Sequence, residues 1–205
     1  MRMHAALLSP PMTDQEVLRI IELFKTPLHV QRHCKAVADF AVKLGEALLA
    51  QGEKVNLTLV RHAALLHDFV RVVDFRGFAP ETFPDPVTPE QIEFWKTLRV
   101  KYAGMHHADV GAAILGERGF DDVANVVRKH RFTQIERGLD TWEEKLVYYA
   151  DKRAKHDKIV LLEERLADGK KRNLIETNTT EESLMLDKKI HVLEEEIFTK
   201  AGIRL

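Results

Sequence analysis

The sequence predicts an all-α protein, on three observations. Apolar residues recur at helical spacing through most segments, and no alternation of apolar and polar residues persists beyond a few positions. Three capping signatures, Thr13-Asp14-Gln15-Glu16, Thr88-Pro89-Glu90-Gln91 and Thr141-Trp142-Glu143-Glu144, mark helix starts. The 205 residues suffice for one full core. They divide into a main unit over 1–168 and a C-terminal helical extension over 169–205, packed on that unit or on a second subunit.

The elements follow in order. After the Thr13 box, Val17, Ile20, Ile21 and Phe24 lie at helical spacing, so a first helix runs to about Lys25, where Pro27 ends it. From Leu28 to about Ala50, Val30, Cys34, Val37, Ala41, Leu44 and Leu48 form one stripe, with His33 beside it and Gly52 past its end. Asn56 caps the next helix, whose face of Val60, Ala63 and Ala64 also carries His67. Residues 74–89, rich in proline and phenylalanine, read as a long surface loop, with Phe75, Phe78 and Phe83 either stacking on a base or anchoring the loop to the core. A helix then runs from Pro89 to about Tyr102, and another starts at His106-His107 and reaches Gly116 or Gly119. Asp121 to Arg131 forms a segment finishing at His130, and the Thr141 box leads to Asp151. Beyond lie a helix near Asp157 to Ala167, a polar break at Asp168 to Lys171, and a long final helix from about Thr180 to Lys200. That helix spaces Leu186, Ile190, Leu193 and Ile197 on one face amid dense charge.

Composition removes several classes of function. Lys plus Arg number 31 against 32 Asp plus Glu, so no overall field draws the chain to a nucleic-acid polymer or an anionic membrane. Cys34 is the only cysteine, which excludes an internal disulfide and any multi-cysteine zinc site and fits a reducing compartment. No run reaches the roughly 20 apolar residues of a membrane span, and the first residues lack a secretory pattern, so the expected location is the cytoplasm.

The chemistry gathers around His67-Asp68. A neutral imidazole nitrogen and an anionic oxygen, side by side at the end of an apolar helix, are metal-ligand types where a core residue would otherwise stand. His33, His67, His107, His130 and Asp151 each lie at or beside the apolar face, or at the end, of a different helix. With Asp68 they supply nitrogen and oxygen donors for one or two first-row divalent cations, such as iron or manganese. Arg71, Lys129, Arg131, Lys152 and Arg153 cluster in sequence near these residues and suit phosphate, although each is equally a solvated surface charge. His4, His29, His62, His156 and His191 fall outside any motif.

The order His33, His67-Asp68, Asp151 resembles the signature of the HD superfamily of metal-dependent phosphohydrolases. The stretches His107-Ala108-Asp109-Val110-Gly111-Ala112, Val127-Arg128-Lys129-His130 and Glu144 to Lys152 resemble the later motifs of its binuclear branch, which includes bacterial symmetrical diadenosine tetraphosphate hydrolases. The likeness extends over about residues 28–160. It implies an HD-domain helical bundle with the long C-terminal helix as an addition, and a second cation position completed by His107 and His130. The His-x-x-x-Gly-Ala context favours His107 over its neighbour His106 as the ligand; a contact to substrate phosphate is the other use open to His106. Arg71 stands where the family commonly has lysine, and a guanidinium still binds phosphate through its forked geometry. The implied activity is hydrolysis of a phosphoester or phosphoanhydride in a nucleotide or dinucleotide polyphosphate, with Asp68, Arg71 and Lys152 as catalytic groups. A module that holds metal and nucleotide without turnover, and a diiron oxygenase, use the same donors and stand as alternatives.

Overall fold

The computed structural model describes residues 11–173 and 181–204. Among these, nine α-helices carry the fold: α1 Asp14–Leu23, α2 Leu28–Ala50, α3 Leu57–Leu66, α4 Pro89–Lys101, α5 His107–Glu117, α6 Asp121–Arg128, α7 Trp142–Asp151, α8 Leu162–Asn173 and α9 Glu181–Lys200. The all-α expectation holds. The capping box at Thr13 forms as read, with the Thr13 amide donating to Glu16 Oε2 at 2.7 Å and the Glu16 amide to Thr13 Oγ1 at 3.3 Å. Thr88 and Gln91 repeat it at α4, while Asn56 and Thr141 accept from backbone amides at α3 and α7.

The long helix α2 packs along α3 and α7, and α5 along α6, so the apolar stripes legible in the sequence meet in one core. Val37, Ala41, Leu48, Val60, Ala63, Leu146 and Val147 are fully buried there. Trp95 of α4 is also fully buried, and its indole N–H donates 3.0 Å to the Lys25 carbonyl, tying α4 to the turn between α1 and α2. Gly111 lets α5 come close: a Cβ there would stand 3.1 Å from the Phe69 ring and 3.4 Å from Val127. This crossing lays the first turn of α5 against the turn that follows α3.

The apolar face of α9 is covered by the rest of the chain. Leu186, Ile190, Leu193 and Ile197 are buried, and the helix touches α2, α7 and the short 3-10 turn Phe132–Glu136. Removing these four aliphatic side chains from water contributes roughly 1.5–3 kcal/mol each as an upper bound. Polar contacts fix the register, with Tyr149 and Arg153 both donating to Glu194 Oε1, at 2.5 and 3.0 Å. The expected helix start at Thr180 lies outside the described residues.

Two expectations need correction. The helix placed near Asp157 starts only at Leu162, because residues 154–159 form a two-stranded hairpin, β1 Ala154–Lys155 and β2 Lys158–Ile159, turning at His156 and Asp157. Strands of two residues are too short for any alternation to show. The break at Asp168 to Lys171 is absent, since α8 continues to Asn173; polar composition alone does not separate a helix from a loop, and Lys170 here pairs with Asp187 of α9. The 74–89 stretch is the long surface connection expected. Residues Arg71–Asp74 and Pro80–Thr82 make 3-10 turns, and the phenylalanines anchor inward: Phe83 stacks on Trp95 with ring centroids 5.3 Å apart, and Phe75 packs on Phe83. Arg32 clamps Asp85 through two 2.9 Å hydrogen bonds. Among the described residues no helix is long and apolar enough to cross a membrane.

Candidate metal centre

Five helices converge on one point. His33 lies in the second turn of α2, His67 and Asp68 directly follow α3, His107 opens α5, His130 stands two residues past α6, and Asp151 ends α7. All six residues singled out as ligands meet there. The donor atoms of His33, His67 and Asp68 lie within 4.8 Å of one another, and so do those of Asp68, His107 and His130. Asp68 belongs to both sets. In the second, Asp68 Oδ1 stands 2.9 Å from His107 Nε2 and 3.3 Å from His130 Nε2, and the two nitrogens are 2.8 Å apart. Donors bound about 2.1 Å from one cation stand on the order of 3 Å from each other, so these spacings fit a shared ion. In the first, Asp151 Oδ1 approaches His33 Nε2 at 3.1 Å and His67 Nε2 at 3.6 Å, while Asp68 Oδ2 is 3.8 Å from His67 Nε2.

The ring orientations have an identifiable cause. A carbonyl only accepts, so the His33, His67 and His130 Nδ1–H groups donate to the carbonyls of His156, Ala64 and Val127, at 2.7, 2.8 and 2.6 Å. His107 donates its Nδ1–H to the Asp74 carboxylate. In each ring the Nδ1 proton is thus held away from the centre and Nε2 faces it, the arrangement that orients imidazole for a metal. His67 Nε2 and Asp68 Oδ1 are buried without a hydrogen-bond partner. Buried polar atoms are seldom left so, and a cation would satisfy both.

Charge follows the same geometry. Burial works against ionised Asp68, but Arg71, His67 and His107 outweigh it and hold the carboxyl well below its usual range. Asp151 behaves alike, burial being overcome by Lys152, His33 and His67. Burial pushes His130 down to about 3, leaving a neutral imidazole. His67 goes the other way. Burial opposes its charge, yet Cys34, Asp68 and Asp151 raise its pKa well above the ordinary value, so a cation entering beside it displaces a proton.

The centre lies in the wall of a cavity of about 770 Å³, also lined by Arg32, Arg71, Arg131, Lys152, Arg165 and Lys170. Arg71 Nη1 lies 3.2 Å from Nδ1 and 2.9 Å from Nε2 of His107. Near-equal distances to both nitrogens put the guanidinium over the imidazole face, leaving the Nε2 lone pair clear. Lys152 is buried, its ammonium donating to the His130 carbonyl at 3.0 Å and to Asp151 Oδ2 at 2.5 Å. It therefore holds two parts of the centre together. Arg131 reaches the cavity and pairs with Asp109 at 2.7 Å, whereas Lys129 turns to Gly138, Asp140 and Glu144, and Arg153 to α9.

Sequence reading missed two contributors. Asp74, inside the stretch read as loop, orients His107. His156, read as lying outside any motif, supplies the carbonyl that orients His33, from a hairpin turn with φ of 57°. No motif could reveal the second, because it uses a backbone atom. His62 is likewise placed, buried and bonded to Asp14 at 2.8 Å.

Comparisons with known proteins give the chain a family. An uncharacterised protein of Methanocaldococcus jannaschii is 31% identical over 137 residues, which are 60% of this chain and 64% of the relative. The match thus spans a little under two thirds of that relative's length. No solved structure matches. The family described as HD domain matches residues 30–156, a span that contains all six ligand-type residues and more than half of the sequence, and the chain belongs to that family.

Proposed function

We propose that the protein is a metal-dependent phosphohydrolase that cleaves a phosphoester or phosphoanhydride bond, with a nucleotide or dinucleotide polyphosphate as substrate. The observation that carries this reading is the pair of donor sets sharing Asp68, set in the wall of a cavity furnished with cationic side chains. His33, His67, Asp68 and Asp151 would hold one divalent cation, and Asp68, His107 and His130 a second. Such ions, iron or manganese being suited to these donors, lower the pKa of bound water and neutralise charge developing on a phosphoryl oxygen. Asp68 presents one oxygen to each set, so a single carboxylate keeps the two in register. Arg71, over His107, reaches the same space with nitrogens to spare for a phosphoryl group. Lys152 keeps Asp151 and the His130 turn fixed in relation to each other. Phe75, Phe132 and Leu166 add apolar lining suited to a base or sugar face.

Within the family we assign the chain to the binuclear branch of the symmetrical diadenosine tetraphosphate hydrolases, acting in the cytoplasm. Residues 1–168 would carry most of the chemistry and α9 would buttress it, with Lys170 of α8 reaching the cavity wall. The test is elemental analysis of the purified full chain, coupled to a screen of dinucleoside polyphosphates, nucleoside phosphates and p-nitrophenyl phosphate, with and without oxygen. One or two bound first-row ions and a turnover that chelators abolish are expected. Metal-loaded protein that turns over none of these compounds would sink the reading, and a product formed only with oxygen would replace it by an oxygenase.

A further inference from the structure

The fifth histidine at the centre has its proton on the other nitrogen. His106 is the N-cap of α5, and its Nδ1 accepts the backbone N–H of Ala108 at 3.1 Å. An imidazolium carries hydrogen on both nitrogens, so a ring accepting at Nδ1 is neutral, with its single proton on Nε2. The ring stacks on ligand His107, centroids 4.1 Å apart and planes inclined by 32°. It also lines the cavity beside Arg71 and Arg131. His33, His67, His107 and His130 hold their Nδ1 protons on outward oxygens, and His106 alone among these neighbours takes the opposite tautomer. An Nε2 carrying a proton has no lone pair for a metal.

We propose that His106 is a substrate-binding group, a neutral Nε2–H donor to an oxygen of the phosphoryl group held at the second donor set, with the Arg131 guanidinium beside it. This rests on the phosphohydrolase reading and adds to it the group that recognises the anion without a cation. A neutral donor has a use that a further arginine lacks: it orients one phosphoryl oxygen without adding positive charge next to His107 and the ions. Asp109, bonded to Arg131, anchors that guanidinium to the same helix that His106 caps.

The test keeps the cap and withdraws the donor. Asparagine caps helices well through its side-chain oxygen but is too short to place an N–H where Nε2 stands, so His106→Asn isolates the proposed contact. Affinity for inorganic phosphate, measured by calorimetry on manganese-loaded full-length protein, is expected to fall about tenfold or more, the effect of removing a hydrogen bond to a charged group. Metal content and melting temperature are expected to stay at wild-type values. In His106→Asp, which also caps, a carboxylate in the donor's place is expected to weaken phosphate further. Unchanged phosphate affinity in both variants would overturn the proposal, and loss of one bound ion from His106→Asn would make His106 a ligand instead. If wild-type protein hydrolyses a phosphate compound while the variants bind phosphate normally, only this inference fails. If wild type neither hydrolyses nor binds phosphate, the functional reading falls with it.

Discussion

The two halves of the centre share Asp68 and differ in how they are built. The first, His33 and His67 with Asp151, draws on α2, α3 and α7, the helices that pack together at the middle of the core. Its donors are loosely spaced, at 3.1 to 3.8 Å, and a buried lysine already holds one of its carboxylates. The second, His107 and His130, draws on α5 and α6, and its donors crowd to 2.8–3.3 Å. Both of its neighbours toward the cavity, Arg71 and His106, are suited to an anion. The contrast is one of support: the first half is held by helices at the middle of the core and by a buried lysine, the second by α5 and α6 with Arg71 and His106 beside it, and both halves line the cavity.

Changes that break the symmetry of this pair test it. The largest effect is expected from Asp68→Ala, which removes the shared carboxylate. Metal content measured by elemental analysis should fall at both positions, and turnover by on the order of a thousandfold or more. Asp74→Asn should act on one half only, because it weakens the acceptor that orients His107. Titration with manganese is expected to show one class of site weakened about 10–100-fold and the other unchanged. The mirror experiment is His156→Pro, since proline cannot adopt the φ of 57° at the hairpin turn. It should displace the carbonyl behind His33 and weaken the other class about tenfold, whereas His156→Gly, which keeps the backbone, should leave metal binding at wild-type strength. Gly111→Val drives side-chain atoms into Phe69 and Val127. A loss of about 1–3 kcal/mol in urea unfolding is expected, with the second class of site loosened before the first. Equal losses at both classes in the Asp74 and His156 variants would show that the halves do not act separately.

Much of this was legible in the sequence, and the reason differs from place to place. The capping boxes at Thr13 and Thr88 are local chemistry and formed as read, while at Thr141 only the N-cap half forms, because the Glu144 carboxylate takes the Asp140 amide instead. His67 and His130 were legible as ligand types at the ends of apolar helical runs, although a helix C-terminus alone also favours a histidine at 130. Their orientation comes from carbonyls three residues earlier, so sequence proximity carries it. His33 and His107 were legible as ligand types, but not their supports, since His156 lies 123 residues from His33 and Asp74 lies 33 residues from His107. Lys152 read as a group for substrate because its charge is visible in sequence and its burial is not. The 154–159 hairpin left no pattern because two-residue strands have no period. The polar composition of α8 past Asp168 resembled a break, although helices with one solvated face often look so.

The directions of the helices at the centre have a further consequence. Helices α3, α6 and α7 all end there, while α5 begins there. A helix C-terminus carries roughly half a negative charge and an N-terminus roughly half a positive one. Three backbone dipoles thus point their negative poles at the centre, and α5, whose first residue is His107, turns its positive pole there, so the negative poles prevail. The main chain is polarised before any side chain is counted. The backbone thus favours a cation at this point, independently of the side chains that would ligate it.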